Sequence, residues 1–460
     1  VYAPGLDQRS RGRIRALQSV PEGLAGHVLI CANDPIAPGL IRRLQLADVP
    51  VYVIEPDADL AMHMQDVGVP VFTGEIDSVE TYRAAGAARA RLVLANASDT
   101  INSNIVLTVR ELSDSVPIVA LAEVEDSIDV LELSGATHVL PLIHQLGEHL
   151  ANRVSAGTSR ANVIGKFHHL LLAEFPVHNT PFQGRTIRDT RLREFTGATI
   201  VGVWERGRFL PPRPDLELSP LSVPVVIGTR EQISELDEVL VIYDANPNPV
   251  LIVGGGKVGR AAAVALKRRE IPVHMVERDP ELEKQIASIP DRLFLGDAAD
   301  RRVLDAAGIA ETPCVLLTTH DDAMNVYLTV YCRRLNPNAR ILTRVTHERN
   351  VEAIQRAGAD FVLSYASLGV QTVYSIVQGR ELIVLGEGVD LFYVPLPPSL
   401  ADKTLADAGI GARTGLNVIG VQKDGQIVTN LPPDEWLVKG STLIALGSTE
   451  QRERFRAAYH

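Results

Sequence analysis

The stretch VLIVGGGKVGR, from Val250 to Arg260, decides the fold of this chain. Its four leading apolar residues predict a buried strand, and the alanine-rich segment AAAVALKRRE after it has the length of a helix. The glycines between them, Gly254, Gly256 and Gly259, have the spacing G-x-G-x-x-G. In that pattern the first glycine permits a tight turn, the second lets the backbone approach a pyrophosphate, and the third lets the helix pack on the strand. The stretch therefore predicts the opening of a dinucleotide-binding α/β domain.

An acidic residue at the end of the next strand strengthens this prediction. Glu277 lies 21 residues beyond Gly256, and an acid about 20 residues after the glycines accepts hydrogen bonds from ribose hydroxyls in such domains. Asp297 follows the third apolar run and is placed to reach the base or ribose, and Arg344 follows the fifth and is placed to face phosphate. A solvated loop residue is the alternative for each, and a glycine-rich turn that binds nothing is the alternative for the loop. The predicted nucleotide site comprises Gly254, Gly256, Lys257, Val258, Gly259, Glu277, Arg278, Asp297, Ala298, Thr318, Thr319 and Arg344.

Two internal repeats fix the domain order. VPVYVIEPD, from Val49, matches IPVHMVERD, from Ile271, at an offset of 222 residues. TGATIVGV, from Thr196, matches TGLNVIGV, from Thr414, at an offset of 218. The order of the blocks is therefore A–B–A′–B′. We predict an arm at 1–25 followed by block A at 26–150, block B at 151–245, block A′ at 246–378 and block B′ at 379–460.

The pattern of each block predicts its fold. Short, continuously apolar runs alternate with helix-length segments in A and A′, which is typical of a parallel sheet covered by helices on both faces. The B blocks are shorter and richer in Pro and Gly, and each ends in a strand and a helix. The predicted fold class is α/β, with two Rossmann-like doubly wound parallel-sheet domains, each followed by a small α+β domain.

Block A lacks the glycine loop. The residues that correspond to Gly254–Gly259 are Ala32–Ala37, and none of them is glycine. Pro35 removes an N–H that could meet phosphate, and Asp34 puts a negative charge near the phosphate position. A purely structural role for block A is one reading. The other is a different ligand, for example a cation held by Asp34 and Glu55.

Composition excludes several classes of protein. The net charge of −11 over 460 residues argues against a nucleic-acid partner, which requires a basic face. The sequence contains no run of about 18 apolar residues, so it predicts no membrane-spanning helix. The three cysteines lack metal-type spacing and are expected to be reduced thiols of a cytosolic protein. The chain starts at Val1 without Met, so we expect a fragment or a processed product.

The predicted arm carries Arg9, Arg11, Arg13 and Arg15. A basic run beside a membrane anchor lies on the cytoplasmic side of the membrane. A solvated flexible arm is the alternative.

These residues and motifs resemble those of a known family. Blocks A and A′ are similar to the RCK N-terminal domain, the potassium-transport nucleotide-binding domain, and blocks B and B′ to the RCK C-terminal domain. The resemblance rests on GGGKVGR, Glu277, GDAAD at 296–300, DDAMN at 321–325 and AGADFVLSY at 357–365. Weaker counterparts in block A are Glu55, GEIDS at 74–78, SDTIN at 98–102 and SGATHVLPL at 134–142.

The resemblance implies a ligand-sensing gating ring of a prokaryotic potassium channel. Its expected ligand is NAD(H) or an adenine nucleotide (ATP, ADP or AMP), and sometimes Ca²⁺. Its expected partners are three further copies, giving a homotetrameric ring of eight RCK units, although the isolated fragment can stop at a dimer. The ring would act on a potassium pore at the cytoplasmic side of the bacterial inner membrane.

Two other functions are also compatible with the sequence. One is a soluble regulatory subunit of a Trk-type potassium-uptake transporter. The basic arm, the absent Met and the degraded loop of block A favour a channel tail over that subunit. The other is an NAD-dependent oxidoreductase. That class needs a substrate domain with an acid/base residue, and no such arrangement is recognisable here, so we expect the chain not to be an enzyme.

Overall fold

The computed structural model describes residues 12–154, 160–240, 246–380, 382–429 and 431–459. Across these ranges, none of the helices combines the length and the apolar character that a membrane crossing requires. Of the four arginines of the predicted arm, Arg9 and Arg11 lie outside the described residues. Arg13 and Arg15 fall in the helical residues 12–17.

Block A forms a six-stranded parallel sheet with the strand order β3-β2-β1-β4-β5-β6. Because neighbouring parallel strands need crossover connections, a helix or turn separates each pair along the chain. The strands are β1 (Val28–Ile30), β2 (Val51–Glu55), β3 (Val71–Thr73), β4 (Leu92–Ala95), β5 (Ile118–Leu121) and β6 (His138–Leu140). The helices are α1 (Ala37–Leu46), α2 (Ala58–Asp66), α3 (Val79–Ala84), α4 (Asp99–Arg110), α5 (Ile128–Leu133) and α6 (Leu142–Asn152).

Block A′ repeats this topology, with the strand order β14-β13-β12-β15-β16-β17. Its first, fourth and sixth strands in chain order are buried at every position, which is why they read as continuous apolar runs. The strands are β12 (Val250–Val253), β13 (Val273–Glu277), β14 (Arg292–Leu295), β15 (Cys314–Leu317), β16 (Arg340–Val345) and β17 (Phe361–Ser364). The helices are α10 (Lys257–Arg268), α11 (Glu283–Ile286), α12 (Arg301–Ala307), α13 (Asp322–Leu335), α14 (Val351–Arg356) and α15 (Tyr365–Gln378).

The B blocks are small antiparallel modules, with the strand orders β10-β9-β11-β8-β7 and β18-β21-β19-β20. In B the elements are β7 (Asn162–Phe167), β8 (Leu170–Glu174), α7 (Ile187–Thr190), α8 (Leu192–Thr196), β9 (Thr199–Glu205), β10 (Arg208–Leu210), β11 (Val223–Gly228) and α9 (Arg230–Val239). In B′ they are β18 (Asp390–Pro395), α16 (Leu405–Ala408), α17 (Ile410–Thr414), β19 (Asn417–Lys423), β20 (Gln426–Thr429), β21 (Thr442–Gly447) and α18 (Thr449–Tyr459). The predicted fold class, two doubly wound domains each followed by a small α+β domain, is confirmed.

The chain divides into two compact regions that do not follow the block order. The first contains residues up to Glu148 together with 346–348 and 364–380, and the second contains the rest. Helix α15, which follows the last strand of A′, therefore belongs to the first region. There the guanidinium of Arg43, on α1, lies 4.7 Å from the ring centroid of Tyr374, and the Nε of Arg91 donates to the Val377 carbonyl at 3.0 Å.

In the second region, blocks B and B′ share a hydrophobic core. Phe167 and Leu172 from B pack in one cluster with Leu385 and Ile444 of B′. Beside it, the buried guanidinium of Arg153 pairs with Glu174 at 2.8 Å and also donates to the Val384 and Leu385 carbonyls. A buried ion pair persists only where further hydrogen bonds satisfy its charges, and here main-chain oxygens provide them.

Candidate nucleotide site

The A′ loop, Gly254–Gly259, turns from β12 into α10 with a geometry that demands glycine at two positions. Gly254 has a φ of +110°, which side-chain-bearing residues rarely adopt. A Cβ on Gly259 would lie 1.9 Å from the Gly254 carbonyl oxygen, so any larger residue would force the loop away from the helix. The close packing of helix on strand expected from the sequence is thus present.

The N-terminus of α10 opens the A′ loop to an anion. Gly256 is the N-cap of α10, and among the described residues no side chain caps its amides. A Cβ on Gly256 would meet nothing within 4 Å in the described part of the chain. The first amides of a helix have no intrahelical acceptor and carry a partial positive charge. The space beside Gly256 is therefore unobstructed and the helix amides are uncapped among the described residues, as a phosphate site requires.

Glu277 holds the opposite side of the loop. One carboxylate oxygen, Oε2, accepts a hydrogen bond from the Gly255 amide at 2.6 Å, and the other, Oε1, accepts from the Asp279 amide at 2.7 Å. An ionised carboxylate has about four acceptor positions, so Glu277 keeps capacity for two ribose hydroxyls. The structure thus brings the predicted acid and the glycine loop together.

The ends of β15 and β16 complete this edge of the sheet. The Thr318 hydroxyl donates to the Gly254 carbonyl at 2.8 Å, which fixes the loop to the fourth strand in chain order. The Thr319 hydroxyl donates to Asn325 Oδ1 at 2.7 Å, and the Asn325 amide donates to the carbonyls of Thr319 and Arg344. Arg344 itself is buried within β16. Thr318, Thr319 and Arg344 therefore form one connected group with the loop.

Of the remaining predicted residues, Lys257 and Val258 belong to the loop itself, Arg278 follows Glu277, and Asp297 and Ala298 lie in the turn after β14. Asp297 is exposed and caps its own turn by accepting from the Ala299 amide at 2.8 Å, and Ala298 is buried. Lys257 and Arg278 are exposed. The Gly296 amide donates to the Glu277 carbonyl at 2.9 Å, which places the turn that carries Asp297 beside the acid.

Block A has the same scaffold but a different loop. Asp34 Oδ1 accepts hydrogen bonds from the amides of Ile36, at 3.1 Å, and Ala37, at 3.0 Å. These are the N-terminal amides of α1, and they correspond to Val258 and Gly259 of the A′ loop. Burial raises the pKa of Asp34 to about 6, opposed by the hydrogen bonds that the carboxylate accepts.

The cation predicted for Asp34 and Glu55 stays a prediction. Asp34 is occupied by amides, and Glu55 Oε1 accepts from the Asp57 amide at 2.9 Å. Within the described ranges, no group of three or more His, Cys, Asp or Glu residues is arranged to hold a metal ion.

Asn325 was absent from the predicted site, although it holds two of its members. A signal for it exists in the repeat, because Asn102 occupies the same position in block A. Asn102 makes the equivalent contacts, donating to the carbonyls of Ala97 and Leu121 at 3.0 and 2.8 Å. A residue shared by both blocks in this way supports the scaffold rather than a ligand.

Comparison with protein families matches all four blocks of the chain. Residues 28–141 and 250–365 match the TrkA-N domain, and residues 172–241 and 391–460 match the TrkA-C domain. The chain belongs to the family of tandem TrkA-N and TrkA-C (RCK) proteins. Potassium channel protein 1 of Methanocaldococcus jannaschii is 26% identical over 219 residues, which are 45% of this chain and 66% of that protein. The match therefore spans slightly less than two thirds of that relative.

Solved structures extend the similarity to nearly the whole chain. The GsuK RCK domain is 34% identical and aligns with a TM-score of 0.66 over 96% of each chain. The GsuK channel bound to NAD is also 34% identical, with a TM-score of 0.65 over 95% of this chain and 80% of the other. GsuK has also been solved bound to ADP, in a structure that aligns at 26% identity with a TM-score of 0.52 over 78% of this chain and 71% of that one.

Proposed function

We propose that this chain is the ligand-sensing part of a potassium channel gating ring and that its A′ block binds NAD(H) or an adenine nucleotide. The observation that carries the proposal is the uncapped N-terminus of α10 beside Glu277. The amides of Lys257, Val258 and Gly259 would hold phosphate, and Glu277 would hold the ribose. A nucleotide supplies binding energy here and no bond is made or broken.

Isothermal titration calorimetry with NAD, NADH, ATP, ADP and AMP tests this binding. We expect one nucleotide per chain, because the amides of the A′ loop are uncapped beside an acid, whereas those of the A loop bind Asp34. Two equal sites, or none, would contradict the proposal. Incubation of the chain with NADH and candidate substrates should give no turnover, since Glu277, the acid beside the loop, is assigned to the ribose and not to proton transfer. Steady oxidation of NADH would instead favour an oxidoreductase.

The proposed assembly is a tetramer whose eight RCK units form one ring on the cytoplasmic side of the membrane. Helices of both Rossmann-like blocks expose large apolar side chains that an interface would cover. They are Ile101 and Leu107 on α4, Val130 and Leu133 on α5, and Tyr327 and Val330 on α13. Light scattering across a concentration series should show dimers or tetramers. A strict monomer at high concentration would count against the ring.

The ligand is proposed to act by shifting the ring between two shapes. A ligand biases such an equilibrium only through different affinities for the two states, typically by about 1–3 kcal/mol. Single-channel recording of the full-length protein with and without nucleotide tests this, with Gly256→Asp as the variant that loses the response and keeps conduction. The Trk-type alternative, a subunit separate from its transporter, would be favoured if reading the gene upstream revealed no pore helices.

A further inference from the structure

The A loop, Ala32–Ala37, contains its own anion. The carboxylate of Asp34 accepts from two successive amides at the start of α1, at 3.1 and 3.0 Å. This is the position in which a helix N-terminus receives a phosphate oxygen. Pro35, between Asp34 and these amides, has no N–H to offer. The amides of the A loop that could bind a phosphate therefore donate to the Asp34 carboxylate instead.

A second residue, Asn96, fastens the same loop through the main chain of Ala32. Asn96, which follows β4, accepts from the Ala32 amide at 2.9 Å and donates to the Ala32 carbonyl at 2.8 Å. Asn96 occupies the position that Thr318 has in A′, where the Thr318 hydroxyl contacts the Gly254 carbonyl. Both blocks thus fasten their loop from the residue after the fourth strand, and the blocks differ in the carboxylate that the A loop places on its helix amides.

The corresponding position in A′ is Gly256, and it leaves the amides open. Its φ of −66° and ψ of −172° suit an ordinary N-cap residue. Nothing within 4 Å among the described residues would obstruct a side chain there. The A′ backbone could therefore accept an aspartate at position 256 in the manner of Asp34. Glycine is not sterically required at this position.

We propose that Asp34 is the specificity-determining residue that keeps phosphate-bearing ligands out of block A, by occupying the anion position at the N-terminus of α1. The inference rests on the proposed nucleotide site in A′ and explains why one fold, present twice, would offer one site. An incoming phosphate would have to displace a hydrogen-bonded carboxylate and would approach a like charge at contact distance. The pKa of about 6 that burial gives Asp34 leaves this carboxyl mostly ionised at pH 7.5, so the repulsion operates there.

The first test moves the carboxylate into A′. Calorimetry with ADP on the intact chain compares wild type, Gly256→Ala and Gly256→Asp. The alanine variant measures the effect of a Cβ alone, and we expect aspartate to weaken ADP binding at least tenfold more than alanine does. Equal affinities for the two variants, within threefold, would overturn the proposal.

The second test removes the carboxylate from block A. Asp34→Gly exposes the amides of Ile36 and Ala37, and we expect a second, weaker ADP equivalent per chain at millimolar ADP. Asp34→Asn is the matched control, because its amide oxygen still caps the same donors and should leave the stoichiometry at one. Circular dichroism confirms that both variants are folded. A folded Asp34→Gly chain that still binds one ADP would also overturn the proposal. Failure of the proposed function would look different, since the wild-type chain would then bind no ADP at all.

Discussion

The A loop and the A′ loop share one scaffold and differ in what fills the N-terminus of their helix. In both, a parallel strand leads into a helix and a residue after the fourth strand fastens the loop, Asn96 in A and Thr318 in A′. In A the helix amides bind Asp34, and in A′ no described side chain caps them. A Rossmann-like fold therefore does not imply a ligand. The two loops differ at all three glycines of the motif, and Asp34 is the difference that puts a carboxylate on the helix amides.

Glu55 and Glu277, the acids that end the second strand of each block, share one contact that does not indicate a nucleotide site. Glu55 accepts from the amide two residues ahead at 2.9 Å, and Glu277 does the same at 2.7 Å. That contact stabilises the turn after the second strand and says nothing about ribose. The contact that links the acid to the glycine loop is between Glu277 and the Gly255 amide. An acid at the expected spacing indicates a nucleotide site only together with an open loop.

The largest effect is expected at Gly259. Replacing it with alanine puts a Cβ 1.9 Å from the Gly254 carbonyl oxygen, so the A′ loop must move away from α10 and lose its phosphate geometry. We expect ADP binding to become undetectable by calorimetry and the free energy of unfolding to fall by about 1–3 kcal/mol, the usual cost of overpacking. The corresponding residue of block A is already Ala37, so Ala37→Gly is the matched control and should leave ADP binding unchanged. A Gly259→Ala chain that binds ADP normally would show that the loop is not the phosphate site.

The next effect is at the two acids. Glu277→Ala removes a charge-assisted acceptor worth about 1.5–3 kcal/mol, so we expect NAD and ADP to bind about 10- to 100-fold more weakly. Glu55→Ala removes the corresponding carboxylate of block A and should leave the affinity within about twofold. Equal losses in the two variants would mean that block A takes part in binding, and the contrast between the blocks would fail.

Much of the fold was predictable because burial leaves a direct trace in sequence. Strands such as VLIV at 250–253 are buried on both faces, so they read as apolar runs, and the repeat offsets doubled the evidence for every element. The placement of α15 was not predictable. In sequence it ends block A′, yet its contacts are with α1 and the segment around Arg91. Helical periodicity shows that a helix has an apolar face but not which neighbour covers it.

The residues of the candidate site were predictable where the chemistry of nucleotide binding requires a particular residue type. They were not predictable where the path of the backbone decides which groups form hydrogen bonds. Gly254, Gly256, Gly259 and Glu277 follow from the motif, and the structure brings the loop and the acid into contact. Asn325 was missed, although the repeat pairs it with Asn102, because only the structure shows which carbonyls its side chain satisfies. The sequence showed only that Asp34 puts a negative charge near the phosphate position. Its hydrogen bonds to the amides of Ile36 and Ala37 depend on the path of the loop.

A smaller effect is expected from Asp34 in the pH dependence of stability. Its pKa is raised from 3.8 to about 6 by burial, so the folded chain holds this proton more tightly than the unfolded chain. The folded state therefore loses stability as pH rises from about 4 to about 6, by at most about 3 kcal/mol, and the loss is complete above that range. Asp34→Asn, which stays neutral and can still cap α1, should be more stable than wild type at pH 7 by about 1–3 kcal/mol.

Urea denaturation at pH 7, 6, 5 and 4 measures this difference. We expect the gap between Asp34→Asn and wild type to close as the pH approaches 4. Buried His27, whose pKa is lowered by its burial, destabilises both proteins in acid to the same extent, so it cancels in the comparison. A gap that stays constant with pH would show that the carboxyl does not titrate in this range.

The smallest effect on affinity is expected at the other end of α10, where the two blocks differ again. Arg269, just beyond α10, donates to the carbonyls of Ala151 and Val154 at 2.8 Å each, whereas the corresponding residue of block A is Ala47. Because a helix moves as a rigid body, this guanidinium would pass a movement of the A′ loop to the C-terminal end of α6.

In the wild-type chain, we expect ADP to protect the amides of residues 151–154 from hydrogen exchange. Arg269→Gln should abolish this protection and leave the ADP affinity within about threefold of wild type. Lys267→Gln is the control, since Lys267 lies at the end of the same helix but forms a half-exposed ion pair with Asp291 at 2.5 Å and touches neither carbonyl. If ADP still protects residues 151–154 in Arg269→Gln, then α10 does not carry the signal through this contact. If ADP protects them in neither variant nor wild type, the A′ loop can bind nucleotide without moving its helix, and the difference between the two blocks is one of binding alone.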